Sequence, residues 1–346
     1  MSITSENIAA EPLKRLHFLC ENLLAEGDLN KIKEETANAV LLADDIPEPL
    51  KSVILDHMHR ILGSRGIDRA HYYVRSVIRD IGSSGSASSL EFNINLWKAY
   101  DEIRTDSLWI LGKRDREAGH KGWYWGNFVP QIPHQLMMRY TRTSDWILDP
   151  FCGSGTTLIE AMRMGRNSVG IEINPEVFSR TREVVQSLQQ TGTRAEIILG
   201  DSYTVDLVPV MERNGLSSFD MVLLHPPYWD IIRFSDDQGD LSTSTDMESF
   251  ISRFTQIAKK SIEVLKSGGY MGLVIGDAYR DGEIVPLGFR CMDAVASLNM
   301  KIRGIIVKDI QNTRGKRSSE NLWRYRALKS GFYVFKHEYV FVFQKP

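Results

Sequence analysis

Three acidic residues close three successive apolar runs of this sequence: Asp149 follows Trp146–Leu148, Glu172 falls at the end of Ser168–Ile173, and Asp201 lies just beyond Ala195–Leu199. After Asp149 the chain reads Pro150-Phe-Cys-Gly-Ser-Gly-Thr-Thr and then turns helical. Gly153 and Gly155 let a ligand approach the backbone closely, and a helix start presents free N–H groups. The spacing is not GxGxxG and no lysine follows the second glycine, so a P-loop is excluded and no pyrophosphate cradle is required. Asp149 would face a cationic part of the ligand. Glu172 stands where an acid binds ribose hydroxyls in doubly wound folds. Asp201 would accept from an adenine amino group. One glycine turn is a weak signal, but three acids ending successive strands point to a nucleoside-like ligand at the carboxyl edge of a parallel sheet.

Strands alternating with helices must carry these residues. The apolar runs continue with Met221–Leu224 and Tyr270–Ile275, and helical segments separate them at Thr156–Met164, Pro175–Gln189, Met247–Leu265 and Val285–Leu298. That order predicts βαβ units and a mostly parallel, doubly wound α/β sheet. The last strand is expected over Phe332–Phe343, paired in a hairpin with Ile302–Lys308. The first 81 residues differ: apolar residues recur at helical spacing, as in Leu13, Leu16, Leu19 and Leu23, which predicts a small helical domain. Residues 82–109 are expected to be a linker, opening Gly82-Ser-Ser-Gly-Ser-Ala-Ser-Ser, with a connecting helix over Leu90–Thr105. The α/β domain then covers 110–346.

Composition excludes several classes. The 346 residues are 42% hydrophobic and 25% charged, which fits a folded protein and excludes a rod or a disordered chain. No run approaches the roughly 18 apolar residues of a membrane helix, and Met1-Ser-Ile-Thr-Ser-Glu has no signal-peptide character, so a cytoplasmic location is expected. Three scattered cysteines exclude a disulfide framework or a CxxC zinc site, and no metal is expected. The formal net charge of −2 hides an asymmetry. Met1–Arg60 holds 11 acidic against 6 basic residues, whereas Lys301–Pro346 holds 11 basic against 3 acidic. Arg314, Lys316, Arg317, Arg324 and Arg326 are interleaved with Trp323 and Tyr325, a mixture suited to phosphates and bases. The same mixture also fits a solvated face.

With these residues in view, Asp149-Pro-Phe-Cys-Gly-Ser-Gly-Thr-Thr resembles the cofactor loop of the S-adenosylmethionine-dependent DNA amino-methyltransferases, the family joining the cytosine-N4 and adenine-N6 enzymes. Phe128-Val-Pro-Gln-Ile-Pro-His-Gln-Leu resembles the segment that precedes that loop. The resemblance runs from Phe128 to Lys345. It implies a Rossmann-like domain, S-adenosylmethionine as cofactor and DNA as partner. It places Asp149 and Gly153 against the methionine part, Glu172 on ribose, and Asp201 and Ser202 beside adenine. Pro133, Phe151, Gly155, Thr156 and Asn174 complete the implied cofactor set. Cys152 lies inside the cofactor turn, so it reads as a packed small residue and not as a cytosine-C5 nucleophile.

Leu224-His-Pro-Pro-Tyr-Trp-Asp ends the fourth strand, where the family carries Asp, Asn or Ser followed by Pro-Pro and an aromatic residue. An exocyclic amino nitrogen is a poor nucleophile because its lone pair is conjugated into the ring. Two acceptors on its hydrogens, the first side chain and the carbonyl of Pro226, favour the pyramidal transition state. Pro226 and Pro227 stiffen the loop, and Tyr228 can stack on a base flipped out of the duplex. Here the first position is His225, a departure: only a neutral imidazole offers an acceptor. Asp at this place goes with adenine and Ser with cytosine; His decides neither, and Tyr-Trp-Asp-Ile leans slightly to cytosine N4. Asp277 is a further candidate for the base pocket. Two alternatives stay open: an RNA methyltransferase of the tRNA guanine-N2 kind, and a DNA adaptor that binds cofactor but has lost activity through His225. A cognate restriction endonuclease and a homodimer are partners the resemblance leaves open.

Overall fold

The computed structural model describes residues 5–346 except 44, 47–49, 84–99, 101, 117–119, 121, 122, 125, 189–191, 281 and 311–319; the side chains of 5–10, 82, 83 and 320 are also left aside. The chain forms two compact units, Met1–Arg104 and Thr105–Pro346. No described helix is long and apolar enough to cross a membrane.

The first unit is helical: α1 (Ser5–Ala25), α2 (Leu29–Ala39) continuing into a 3-10 turn (Val40–Ala43), α3 (Leu50–Leu62) and α4 (Ile67–Ser83). Its core is the helical-spacing set read in the sequence, with Leu16, Cys20 and Leu23 meeting Ile54, Met58 and Ile61 and also Ala70, Val74 and Val77. Asp28 caps α2 by accepting from the Asn30 N–H. Buried Asp80 meets His57 Nε2 at 2.9 Å. Most of the expected connecting helix at Leu90–Thr105 lies outside the described residues.

The second unit runs β1 (Leu108–Trp109), α5 (Gln131–Tyr140), β2 (Trp146–Asp149), α6 (Thr156–Arg163), β3 (Asn167–Glu172), α7 (Pro175–Leu188), β4 (Ala195–Leu199), α8 (Val208–Asn214), β5 (Phe219–Leu224), α9 (Met247–Val264), β6 (Leu265–Ile275), a small hairpin β7–β8 (Ala278–Arg280, Glu283–Val285), α10 (Leu287–Ala296), β9 (Lys301–Asp309), α11 (Glu320–Ser330) and β10 (His337–Gln344). Eight strands form one sheet in the order β1-β9-β10-β6-β5-β2-β3-β4. All neighbours are parallel except β10, which is antiparallel to both β9 and β6. This is the doubly wound α/β class.

Alternation along the strands feeds two faces. Leu148, Val222 and Leu224 face a core shared with Phe250 and Phe254 of α9 and Leu287 of α10. Ile147, Met221 and Leu223 face the opposite core with Ile132 and Leu136 of α5. From β2 the chain winds outward through β3 to β4, then crosses back to β5, which pairs with the other side of β2. Strand order therefore reverses between β2 and β5, and a crevice opens above their carboxyl ends. The loops after these two strands carry the two motifs, so topology alone joins segments far apart in sequence.

Two expectations change. The last strand begins at His337, not Phe332, because pairing with β9 starts at His337 opposite Asp309 while Phe332 packs its ring on Tyr279 at 4.1 Å. The basic stretch, expected to be a loop between the last two strands, carries a helix: Glu320–Ser330 is helical, and Leu322, Tyr325 and Leu328 are exposed along it.

Gly155 begins α6 in a left-handed conformation (φ +78°), and a Cβ there would meet the Thr181 methyl of α7 at 2.8 Å. Gly155→Ala is thus expected to destabilise the second unit by about 2–4 kcal/mol, combining the left-handed penalty with local overpacking. Chemical denaturation checks this, and an unchanged midpoint would contradict the tight α6–α7 contact.

Candidate functional site

A cavity of about 360 Å³ opens at the reversal point, within the usual range of ligand pockets. Of the residues singled out in the sequence, Phe151, Gly153, Thr156, Glu172, Asp201, Ser202, His225, Pro226, Pro227 and Tyr228 line it. Two loops from adjacent parallel strands supply most of them.

The first loop forms one half of the cavity. Gly153 is left-handed (φ +49°), and a Cβ on it would meet the Tyr124 ring at 2.9 Å, so only glycine fits beneath that ring. The Gly153 carbonyl accepts from Thr181 Oγ1 at 2.9 Å, which ties the turn to α7. Glu172 is buried at the end of β3 and accepts from the Asn174 N–H at 2.8 Å and from the Gly153 N–H. Burial pushes its carboxyl up to about 7 against those two donors. Asp201 accepts from the Tyr203 N–H at 2.9 Å and pairs with Arg253 Nη2 at 2.5 Å. The Ser202 hydroxyl donates to the Pro150 carbonyl. Tyr124 and Phe234 stack across this half with ring centres 5.6 Å apart.

Four expected cofactor residues do not line the cavity. Asp149 is 1% exposed and points back into its own turn, accepting from the Phe151 N–H at 2.9 Å. Burial lifts its carboxyl to about 6, so it braces the loop from behind. Gly155 is occupied by its contact with Thr181. Asn174 caps α7, accepting from the Glu176 N–H at 2.9 Å, and its amide donates to the Phe234 carbonyl at 3.1 Å. It holds the loop that carries Phe234. Pro133 is buried on α5. Cys152 is buried, and burial raises its thiol well above the ordinary value, consistent with a packed residue.

The second loop follows β5. His225 meets Phe128 edge-on at 4.7 Å and Tyr228 at 5.8 Å. Burial pushes its imidazole down to about 4, with Glu338 pulling up and Lys308 pushing down. The ring is therefore neutral at neutral pH and keeps one acceptor nitrogen. It makes no hydrogen bond to another described residue. The Tyr228 hydroxyl donates to Glu338 Oε2 at 2.9 Å, and a Cβ on Gly276 would lie 2.8 Å from its ring. Trp229 then takes a left-handed backbone (φ +53°), held by its indole N–H on the Ser244 carbonyl at 3.2 Å and by Arg280 above its ring at 4.5 Å.

Asp277 does not line the cavity; it accepts from the Gly288 N–H at 3.0 Å and from the Tyr339 hydroxyl at 3.1 Å. Lys308 and Glu338, by contrast, do line it, although neither belongs to a motif. Glu338 is the one acidic residue of its strand, whereas Lys308 shares its strand with Lys301, Arg303 and Asp309 and carried no signal of its own. Among the described residues no cluster of His, Cys, Asp and Glu is arranged to hold a metal ion. Arg324 and Arg326 are exposed on α11, with Arg326 5.4 Å from the Trp323 ring centre. Arg314, Lys316 and Arg317 lie outside the described residues. The excursion that contains all five is rooted where the Ile310 N–H donates to the Lys336 carbonyl at 2.8 Å, and Ile310 itself lines the cavity.

A doubly wound sheet with a glycine turn after its first central strand, a buried acid at the end of the next and a Pro-Pro-Tyr loop at the reversal point defines a Rossmann-like methyltransferase. A family model described as DNA methylase, of the N6/N4 type, matches residues 85–183 and 219–346, and the chain belongs to that family. S-adenosylmethionine is its cofactor. A second model, the RMKL-like methyltransferase domain, matches residues 136–237. The chain is 50% identical over 52 residues to Type II methyltransferase M.MjaII of Methanocaldococcus jannaschii, covering 15% of this chain and 10% of that protein. It is 33% identical over 132 residues to the tRNA (guanine(10)-N2)-dimethyltransferase of Methanothermobacter thermautotrophicus, covering 36% of each. A solved S-adenosylmethionine-dependent methyltransferase from Methanosarcina mazei aligns at 19% identity over 63% of this chain and 98% of its own, with a TM-score of 0.40.

The residues present fit the cofactor. The buried Glu172 carboxyl would accept from vicinal hydroxyls, and Phe151, Ile173 and Leu241 supply apolar wall around it. The group supplies an electrophilic methyl on a sulfonium.

Proposed function

We propose that this chain methylates an exocyclic amino group of a DNA base that is flipped into the cavity. The observation that carries this reading is the position of a neutral His225 acceptor and the Pro226–Tyr228 loop in one cavity with Glu172 and Gly153. The amino hydrogens would be accepted by the free His225 nitrogen and the Pro226 carbonyl, which draws the nitrogen lone pair out of conjugation. Tyr228 would support the base. These groups act by position and polarity, and no covalent enzyme intermediate is needed. The family match and the Type II relative support DNA as substrate, and with it a restriction–modification role beside a cognate endonuclease.

Transfer of labelled methyl to unmethylated duplex DNA, with tRNA as comparison, tests the reading. Label on DNA is expected. Label on tRNA alone would replace the substrate by RNA, the second reading that the guanine-N2 relative favours. Cofactor binding without transfer to either would favour an inactive adaptor.

DNA would also contact α11. Each phosphate contact contributes about 0.9 to the slope of log affinity against log salt. Replacing Arg324 and Arg326 by Ala is expected to flatten that slope by roughly 1.8 while leaving cofactor affinity alone. A wild-type slope would make this helix a solvated face.

A further inference from the structure

Lys308, near the end of β9, and Glu338, near the start of β10, are direct cross-strand partners. Lys308 Nζ donates to Glu338 Oε1 at 2.9 Å, and the two side chains are only 8% and 9% exposed. The other carboxylate oxygen accepts from the Tyr228 hydroxyl at 2.9 Å. On the same faces of these strands the preceding or following residues are Ile306, Val340 and Val342, all in the apolar core. Desolvating two charges opposes folding by several kcal/mol per ion before their attraction is counted, and an apolar pair of similar volume is often as stable. The sheet does not require the pair. Both residues line the cavity wall that also carries His225 and Tyr228.

A lysine ammonium has three donors. One is engaged by Glu338, and Lys308 has no second acceptor among the described residues. Two donors remain at the cavity, beside the groups that would receive an amino nitrogen. Cytosine carries two acceptors, N3 and O2, in succession after its N4 amino group. Adenine carries one acceptor, N1, and then a C–H. Guanine carries an N–H donor beside its amino group. Flipped bases are read along this edge.

We propose that Lys308, aimed by Glu338, is the specificity-determining residue of the base pocket and selects cytosine through N3 and O2. This rests on the amino-methyltransferase reading above. Glu338 is a positioning residue, since it orients both Lys308 and Tyr228.

The test uses the full chain, S-adenosylmethionine and unmethylated genomic DNA, with digestion to nucleosides and identification of the methylated base by mass. Wild type is expected to yield N4-methylcytosine. Lys308→Met should lower that yield roughly 5- to 150-fold, the discrimination of one bidentate base contact, with cofactor affinity unchanged. The double variant Lys308→Met with Glu338→Gln removes the unpaired buried carboxylate and should remain as slow. If the double variant regained the wild-type rate, the single defect was an orphaned charge and the proposal falls. Loss of cofactor binding in both variants would make the pair structural and also overturn it. N6-methyladenine or N2-methylguanine from wild type would overturn the cytosine assignment while leaving amino methylation standing. A wild-type protein that binds cofactor but methylates no nucleoside would remove the parent reading, and this one with it.

Discussion

His225→Ala is expected to slow methyl transfer by about 10²- to 10³-fold, the scale of removing one preorganised polar partner from a reacting centre. Cofactor affinity should be unchanged, because the imidazole faces Phe128 and Tyr228 and not the Glu172 half of the cavity. His225→Asn restores an acceptor and should recover part of the rate. The pH profile gives a second readout. Since burial holds the imidazole down near 4, it stays neutral from pH 5.5 upward, so its titration should not shape the rate there. Single-turnover transfer measured from pH 5.5 to 8.5 checks both points. A wild-type rate in His225→Ala would leave the Pro226 carbonyl as the sole acceptor.

Glu172→Gln is expected to weaken S-adenosylmethionine binding by roughly 1–3 kcal/mol, the value of a charge-assisted hydrogen bond. The wild-type carboxyl also makes binding depend on pH. Its folded value, about 7, lies above the ordinary 4.5. A raised acid contributes stability that is fully present below about pH 4.5 and is lost as pH rises through about 7. Hydroxyl donors from a ligand favour the ionised form and reverse this preference. Affinity should therefore rise between pH 6 and 8, with proton release on binding, and Glu172→Gln should abolish both effects. Calorimetry in two buffers of different ionisation enthalpy measures the proton directly. PH-independent binding in the wild type would move the ribose contact away from Glu172.

The sequence by itself determined the α/β alternation, the helical first unit and the two loops that meet at the cavity. These features are local: apolar periodicity sets each element, and Gly153, the two prolines and Tyr228 have geometries that follow from residue type. Position along a strand end was also legible, which is why Phe151, Glu172, Asp201, Ser202 and His225 all reach the cavity wall. Only the tertiary structure decided which way each polar group points. Asp149 and Glu172 both end strands, yet Asp149 turns back to the Phe151 N–H while Glu172 faces the cavity. Spacing carries no information about that choice, because it depends on which backbone donors the neighbouring turn leaves free. The protonation state of His225 was likewise undecided until its burial and the charges of Glu338 and Lys308 were known. No motif marks Lys308 or Glu338, and the register of β9 against β10 is what brings them together at the sheet's carboxyl edge. Register is a non-local quantity, fixed by the pairing of strands separated by the whole 311–336 excursion, so no local pattern in either strand could have joined them.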